Sequence, residues 1–419
     1  MSGTSETAGM LSPYRVLDLT DERGLLCGKI LADLGADVLQ IEPPGGNTAR
    51  RIGPFYQDQV HPERSLFWWS YTANKRSITL DITTADGQAL LKRLVRSADF
   101  LIESGAPGAM AALGLGYEHL AALNPALIVV SITPFGQQGP YAAYQAPDLV
   151  GMGLAGFMYV TGDPDRAPVR VGFPHFYLHG AGTAASGAMM AHAQRVLTGQ
   201  GQYVDVSCQE AVCRALASAP QIYALEGSVL VRQGSYRQTG GTTYMRITWP
   251  CKDGFINFQF SGGASSGGSV NNLIRWMAEE GMSDPYLESL DFTTLGYGTV
   301  TKELLDRAVP PVERFLLSHT KQELFDGALT RRILLFPVAT PRDILQNPQL
   351  QARAYFQSVS HPDCAAPLTM LGPFVRASAA PLQLRRLAPR IGEHNTEIYS
   401  TELGLHPGEL ARLREAGVI

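Results

Sequence analysis

The chain has 419 residues, of which 45% are hydrophobic and 17% charged, and its formal net charge is −4. This length favours two domains of about 100–200 residues each, and the mildly negative charge argues against a nucleic-acid partner. No apolar run approaches the roughly 20 residues of a membrane span, and the N-terminal residues lack the pattern of a signal peptide. The five cysteines include no CxxC pair, which is typical of a reduced, cytoplasmic protein.

The first third of the chain alternates short apolar runs with amphipathic ones. Five runs have the composition of buried strands: YRVLDLT, ADVLQIE, RSITLDI, DFLIES and PALIVVSIT. Helical spacing follows in DERGLLCGKILADLG, which ends at Gly35, in TTADGQALLKRLVRSA, with Thr84 or Asp86 as N-cap, and in GYEHLAALN. The alternation predicts an α/β fold with a parallel, doubly wound sheet.

Polar residues follow two of the predicted strands. Ligands of doubly wound sheets bind beyond the carboxyl ends of the strands. In this sequence, that crevice includes Asp21, Glu22, Arg23, Ser104 and Gly105. The chain continues from VLDLT into DERGLLCG rather than GxGxxG, so the sequence does not favour an NAD-dependent enzyme.

The composition changes after Ala217. The segment RQGSYRQTGGTTYMRITWPCKDGFINFQFSGGASSGG is rich in Gly and Thr, with strand-like runs on both sides of KDG. Helical stretches follow at VNNLIRWMAEEG and VERFLLSH. These features predict a second, α+β domain of about a hundred residues. The remaining chain is loop-rich and ends in a short helix, PGELARLREAGVI.

Three short motifs leave alternatives open. The segment GASSG at 263–267 matches GxSxG. It is either the nucleophile elbow of a hydrolase or a glycine-rich loop, and the flanking Ser and Gly residues favour the loop. His175 and His179 have the spacing of HExxH without its glutamate, so they belong to a metal site or to an ordinary helix start. Lys75 and Arg76 either meet an anionic ligand or are ordinary basic residues.

Longer motifs resemble one known family in sequence and in order. They are VLDLT with LADLGADVLQIEPPGG, NKRSITLDI, ALNPALIVVSITPFGQQGPYA, TGDPDRAPVRVG, LTGQGQYVDVS and the ending GEHNTEIY, ELGL and LREAGVI. Together they look like the family III CoA-transferases, which include formyl-CoA transferase, carnitine CoA-transferase and α-methylacyl-CoA racemase. The resemblance implies acyl-CoA as substrate, with no tightly bound cofactor and no metal.

The resemblance also implies a domain layout. A large Rossmann-like α/β domain would combine residues 12–216 and 355–419, and a smaller α+β domain would span 238–332. Segments 217–237 and 333–354 would be the linkers. In this family two chains interlock as a dimer.

The resemblance assigns binding residues by position. The groove for CoA would be lined by Asp21, Glu22, Arg23, Gly24, Leu80, Ser104 and Gly105. Thr239–Gly241 falls where the family has its glycine-rich active-site loop, so Gly240 and Gly241 are the loop glycines. Thr83, Ala112 and Pro43 stand where relatives carry basic residues, which predicts weaker phosphate binding.

The family's transferases work through an aspartate that this chain lacks. That aspartate attacks the acyl-CoA to give a mixed anhydride, and CoA thiolate then forms an aspartyl thioester. Counting back from LTGQGQ, its position is 177, which is occupied by Tyr177, and no Asp or Glu occurs between Asp165 and Asp205. The racemase pattern also fails, because its histidine aligns near Pro147.

Two hypotheses follow from this loss. In the first, the chain is a structural or regulatory subunit of a heteromeric CoA-transferase that moves CoA from succinyl-CoA to an aryl- or alkylsuccinate, and a homologous subunit brings the aspartate. In the second, the chain is a self-sufficient CoA enzyme that uses another carboxylate, for which Glu22 is the candidate because it lies in the predicted crevice.

Overall fold

The computed structural model describes residues 9–239, 243–295 and 301–419. Its strands, in chain order, are β1 (Arg15–Asp18), β2 (Asp37–Glu42), β3 (Lys75–Thr79), β4 (Phe100–Glu103), β5 (Ile128–Thr133), β6 (Tyr203–Ser207), β7 (Tyr236–Thr239), β8 (Thr243–Cys251), β9 (Gly254–Phe260), β10 (Leu335–Pro337), β11 (Phe356–Val359) and β12 (Leu368–Leu371).

The helices, in the same order, are α1 (Leu25–Asp33), α2 (Leu66–Thr72), α3 (Ala85–Val95), α4 (Ala109–Ala112), α5 (Tyr117–Leu123), α6 (Asp148–Leu154), α7 (Phe176–Thr198), α8 (Cys208–Ala215), α9 (Ser218–Glu226), α10 (Gly267–Glu279), α11 (Pro285–Glu288), α12 (Lys302–Leu317), α13 (Lys321–Arg331), α14 (Pro341–Gln346), α15 (Pro348–Ala352) and α16 (Pro407–Glu415). Within the described ranges, none of the helices combines the length and the apolarity needed to cross a membrane.

The chain divides into two compact units. The first contains the described residues of Met1–Ala155 together with Gly172–Ala215 and Pro348–Ile419. The second contains Gly156–Val171 and Leu216–Asn347. The domain and linker boundaries inferred from the sequence stay a prediction.

The first unit is built on a six-stranded sheet with the order β3-β2-β1-β4-β5-β6. Every neighbouring pair of strands is parallel. The predicted α/β class and doubly wound sheet are therefore confirmed. The order reverses between β1 and β4, where Leu17 pairs with Leu101.

Alternating strand residues give this sheet two buried faces. On one face, strand residues such as Leu17, Leu101 and Val129 share a core with helices α3, α5 and α16. Helices α1 and α7 contact β1, β2, β5 and β6 and cover the other face. Helix α3 begins as predicted, because the Thr84 side chain accepts a hydrogen bond from the Gly87 amide.

Buried ion pairs tie the strands of the first unit together. The Lys75 Nζ atom lies 2.7 Å from Asp18 Oδ2, and both side chains are fully buried. Arg76 binds Asp37 at 2.6 Å and Glu402 at 2.9 Å. The structure thus pairs both cations with internal carboxylates, and it does not support the anionic ligand that the sequence left open for them.

The second unit is an antiparallel sheet covered by helices on one face. Its strand order is β10-β9-β8-β7, and its core includes Trp249, Phe258, Trp276 and Phe315. Helix α12 begins at Lys302, ten residues before the predicted start at Val312, and it continues through Pro310 and Pro311. Its apolar face, Leu305, Ala308, Val312, Phe315 and Leu316, is fully packed in the core, which offsets the cost of the prolines.

The GxSxG match does not form a hydrolase elbow. Such an elbow needs its helix to begin at the serine, here Ser265. Helix α10 begins at Gly267 instead, and the preceding Ser266 hydroxyl is buried against the Ser261 hydroxyl at 2.7 Å. The segment is the start of a structural helix in the second unit.

Candidate functional site

The crevice at the switch point brings together residues from two loops. The loop after β1 and the loop after β4 are neighbours because their strands are paired. The Asp21 amide donates to Ser104 Oγ at 3.1 Å, and the Ser104 hydroxyl donates to Asp21 Oδ1 at 2.9 Å. Asp21 and Ser104 are thus in contact at the carboxyl edge of the sheet, where ligands of this fold class bind.

Arg23 is held by Asp21 within the same loop. Its Nε donates to Asp21 Oδ1 at 2.8 Å and its Nη2 to Oδ2 at 2.6 Å. Burial by itself would lower the pKa of Arg23, but the hydrogen bonds and the charge of Asp21 outweigh burial, so the pKa is raised. The guanidinium is therefore charged, and it forms an ion pair with Asp21.

Glu22 and Gly24 complete the loop between β1 and α1. Glu22 Oε2 accepts a hydrogen bond of 2.7 Å from the Thr48 hydroxyl. A Cβ on Gly24 would stand 2.4 Å from the Thr20 side chain, so this turn requires glycine. Both residues lie at the predicted edge, although their contact with CoA stays a prediction.

The other predicted binding residues differ in accessibility. Gly105 follows Ser104, and its amide donates to Glu103 Oε2 at 2.7 Å. Leu80 follows the edge strand β3, but its side chain is 2% exposed and belongs to the core. A side-chain contact of Leu80 with CoA is therefore not supported. Gly240 and Gly241 lie outside the described residues.

Tyr177 lies in the first turn of α7 with its phenol turned into the protein. The hydroxyl donates a 2.7 Å hydrogen bond to the Ala146 carbonyl. Burial is the main cause of the raised pKa of Tyr177; the charges of Asp21 and Glu22 raise it further, whereas Arg23 lowers it. The phenol thus belongs to the same electrostatic neighbourhood as the β1–α1 loop, and it stays protonated.

The N-terminus of α7 is stabilised by a carboxylate that sequence reasoning did not identify. Asp148 Oδ1 accepts hydrogen bonds from the amides of His175 at 2.7 Å and Phe176 at 2.9 Å. An acceptor at this place satisfies two amides that the helix cannot pair internally and favours the positive end of its dipole. The sequence signal was only an aspartate at the start of the apolar run DLVGMGL.

A thiol lies close to Tyr177 on the neighbouring helix. Cys208 begins α8, directly after β6, and is fully buried. A Cβ on Gly180 of α7 would stand 2.2 Å from Cys208 Sγ, so the two helices touch at this point. Burial raises the pKa of Cys208 to about 12, although the charge of Arg23 lowers it in part. The thiol is therefore not ionised near neutral pH.

The two histidines at the start of α7 are neighbours on the helix. The ring centroids of His175 and His179 are separated by 6.1 Å. Burial lowers the pKa of His179, and so does the charge of His175. Among the described residues, no three His, Cys, Asp or Glu side chains converge on a point where a metal ion could bind.

Comparisons with known proteins identify the family of this chain. A family model described as CoA-transferase family III matches residues 11–395. The chain is 35% identical over 409 residues to the succinyl-CoA:(R)-benzylsuccinate CoA-transferase subunit BbsE of Thauera aromatica, covering 97% of this chain and 98% of that protein. It is 34% identical over 412 residues to the succinyl-CoA–D-citramalate CoA-transferase of Chloroflexus aurantiacus, covering 98% of each.

A solved structure has the same fold. A CAIB/BAIF family protein from Brucella suis superposes with a TM-score of 0.78 at 26% identity, covering 94% of this chain and 99% of that one. The family model spans most of the chain, and the relatives match it along nearly its whole length. The resemblance seen in the sequence motifs is thereby confirmed, and the chain belongs to CoA-transferase family III.

Proposed function

We propose that this chain is the subunit of a heteromeric CoA-transferase that lacks the catalytic nucleophile, and that a homologous partner supplies the aspartate. The observation that carries the proposal is the hydrogen bonding and protonation of Tyr177. By the family resemblance, this residue occupies the position of that aspartate. The half-buried Tyr177 hydroxyl donates a hydrogen bond to the Ala146 carbonyl, and the raised pKa of Tyr177 keeps the phenol protonated. A phenol can form an ester, but it cannot form the mixed anhydride through which the family's transferases exchange CoA.

The neighbouring thiol is a poor substitute for the aspartate. Thiolates, not thiols, are the nucleophilic form of cysteine. Burial raises the pKa of Cys208 to about 12, so its thiolate is scarce at neutral pH. Cys208 therefore packs against α7 rather than taking an acyl group.

The relatives suggest the substrates. Both are named for succinyl-CoA as the CoA donor, and their acceptors are (R)-benzylsuccinate and D-citramalate, which are dicarboxylic acids. We therefore propose succinyl-CoA as donor and an aryl- or alkylsuccinate such as (R)-benzylsuccinate as acceptor. One of the two relatives is itself named as a subunit, which supports the heteromer.

Exposed apolar side chains support a tightly associated partner. Tyr223 and Leu225 on α9 are 62% and 86% exposed, and Leu334 and Phe336 at β10 are 50% and 54% exposed. Leu335, between Leu334 and Phe336 in the chain, is buried in the core of its own unit. Obligate interfaces exceed about 2,000 Å² and resemble a domain core cut in half, and apolar surface of this kind is what an interlocked dimer would cover.

A self-sufficient enzyme is the alternative. Glu22 is a carboxylate at the predicted crevice, and its charge acts on Tyr177. Its side chain accepts a hydrogen bond from Thr48 and still has acceptor sites left. This reading predicts that Glu22 would form the anhydride in place of the missing aspartate.

Reconstitution of the heteromer distinguishes the subunit hypothesis from the self-sufficient enzyme. The chain is purified alone and together with an aspartate-bearing homologue, and CoA transfer from succinyl-CoA to (R)-benzylsuccinate is measured. We expect no transfer by the isolated chain and transfer by the pair, abolished when the partner's aspartate is changed to asparagine. Sustained transfer by the isolated chain would refute the proposal, and its loss in Glu22→Gln would establish the alternative.

A further inference from the structure

One buried carboxylate of the first unit forms no ion pair with any residue that the structure describes. Among the described residues, three Asp or Glu side chains are buried: Asp18, Glu42 and Glu103. Asp18 is paired with Lys75 and Glu42 with Arg50. Glu103, at the end of β4, is 6% exposed and forms no ion pair in the part of the chain that the structure describes. Buried carboxylates are rarely left without a cation.

The partners of Glu103 are neutral. Its Oε2 accepts the Gly105 amide at 2.7 Å, and the Ser131 hydroxyl also forms a hydrogen bond with its carboxyl group. A carboxylate offers about four lone-pair sites, so acceptor capacity remains. Two charged residues lie near Glu103. Arg23 is already paired with Asp21, and the negative charge of Asp205 repels the negative charge of Glu103.

Glu103 lines a cavity of about 110 Å³ on the α5 face of the sheet. Leu101, Leu115 and Val129 form its apolar floor. The rings of Tyr117 and Tyr203, 5.8 Å apart, form one wall. Apart from the Gln137 amide, the other side chains that line the cavity are aliphatic or aromatic. Glu103 is the only acid among the lining residues, and none of them is Lys or Arg.

We propose that this cavity binds a small organic ammonium ion, with its nitrogen on Glu103 and its hydrocarbon part against the apolar floor. The nitrogen would supply the missing counter-ion, and the tyrosine rings favour a cation. The cavity volume of about 110 Å³ is several times the roughly 10–15 Å³ that one water needs, so the site has room for a small primary amine such as isobutylammonium.

Protonation is the competing way to remove the buried charge. Burial raises the pKa of Glu103, while the hydrogen bonds from Ser131 and Gly105 and the charge of Arg23 lower it in part. A neutral Glu103 would have no preference for a cation. A comparison of charged and neutral ligands therefore distinguishes an ammonium site from a water-filled cavity in which Glu103 is protonated.

Calorimetric titration of the full-length chain with isobutylammonium tests the proposal, with isobutanol, isobutyrate and potassium as probes of matched shape or charge. We expect saturable binding of isobutylammonium, at least about tenfold tighter than that of isobutanol, and none of isobutyrate. No saturable binding, or equal binding of isobutanol, would overturn the proposal. Binding of potassium alone would also overturn it, because the site would then be one for a metal ion.

A pair of variants locates the binding. Glu103→Gln keeps the shape of the side chain and removes its charge, so it should weaken the binding of isobutylammonium at least about tenfold. Glu118→Gln, an exposed glutamate of α5, should leave affinity unchanged. Unchanged affinity in folded Glu103→Gln would contradict the proposal, and if that variant does not fold, the ligand series on the native chain still decides.

Discussion

The Tyr177 hydroxyl donates a hydrogen bond of 2.7 Å to the Ala146 carbonyl, which lies 31 residues earlier in the chain. The same stretch provides Asp148, whose carboxylate accepts the first amides of α7. The Tyr177 phenol thus connects the start of α7 to the segment that precedes α6. This contact makes Tyr177 a structural residue.

Tyr177→Phe should therefore affect stability and not catalysis. Loss of the hydroxyl leaves the Ala146 carbonyl without this donor and should reduce the free energy of unfolding by about 1 kcal/mol. We expect the reconstituted enzyme to transfer CoA at an unchanged rate. Denaturant titration and the transfer assay measure the two effects, with Tyr144→Phe as control because Tyr144 is 56% exposed. Loss of transfer without loss of stability would contradict a structural role.

Tyr177→Asp should not create an active enzyme. The substitution supplies a carboxylate, but Thr83, Ala112 and Pro43 still replace the basic residues that the family resemblance implies for CoA phosphates. Arg23 remains neutralised by Asp21. The assay is transfer by this variant paired with an aspartate-free partner. A rate near that of the intact heteromer would mean that the nucleophile was the only missing part.

Asp148→Ala should loosen the start of α7. Removal of an N-terminal acceptor costs about 1 kcal/mol of stability, within a range of about 0.5–2. Asp148→Asn keeps an acceptor oxygen and loses only the charge, so its cost should be smaller, about 0.3–1 kcal/mol. Thermal unfolding of both variants beside Asp165→Asn, an exposed aspartate, checks the order. Equal stability of all three would refute the capping role.

Part of the fold and of the site followed from the sequence. Strand and helix alternation determined the parallel sheet, and strand ends predicted that Asp21 and Ser104 would meet. The helix cap by Asp148 spans 27 residues and the Lys75–Asp18 pair spans 57. Such contacts depend on tertiary packing, which local patterns do not encode.

Packing that local patterns do not show affects two of the sequence-based expectations. The family resemblance places Leu80 in the CoA groove, and this stays a prediction, although the Leu80 side chain is buried in the core. Helix α12 begins ten residues before the predicted stretch at Val312, since apolar residues on both sides of Pro310 and Pro311 pack on one face. In α12, burial of the apolar face outweighs the tendency of the two prolines to break the helix.

The isolated chain should not persist as a stable monomer. The exposed side chains on α9 and at β10 leave apolar surface that a partner would cover, and obligate interfaces of this kind exceed about 2,000 Å². We expect sedimentation velocity to give a dimer with itself or, in co-expression, with the aspartate-bearing homologue. A well-folded monomer at micromolar concentration would contradict the interlocked assembly.

Intact-mass spectrometry of the assembled enzyme during turnover tests the central claim most directly. With succinyl-CoA present and the reaction quenched rapidly, the covalent CoA thioester intermediate adds its mass to whichever chain carries the nucleophile. The account predicts the adduct on the aspartate-bearing partner and none on this chain, in the native protein and in Glu22→Gln alike. A CoA adduct on this chain that disappears in Glu22→Gln would contradict the claim.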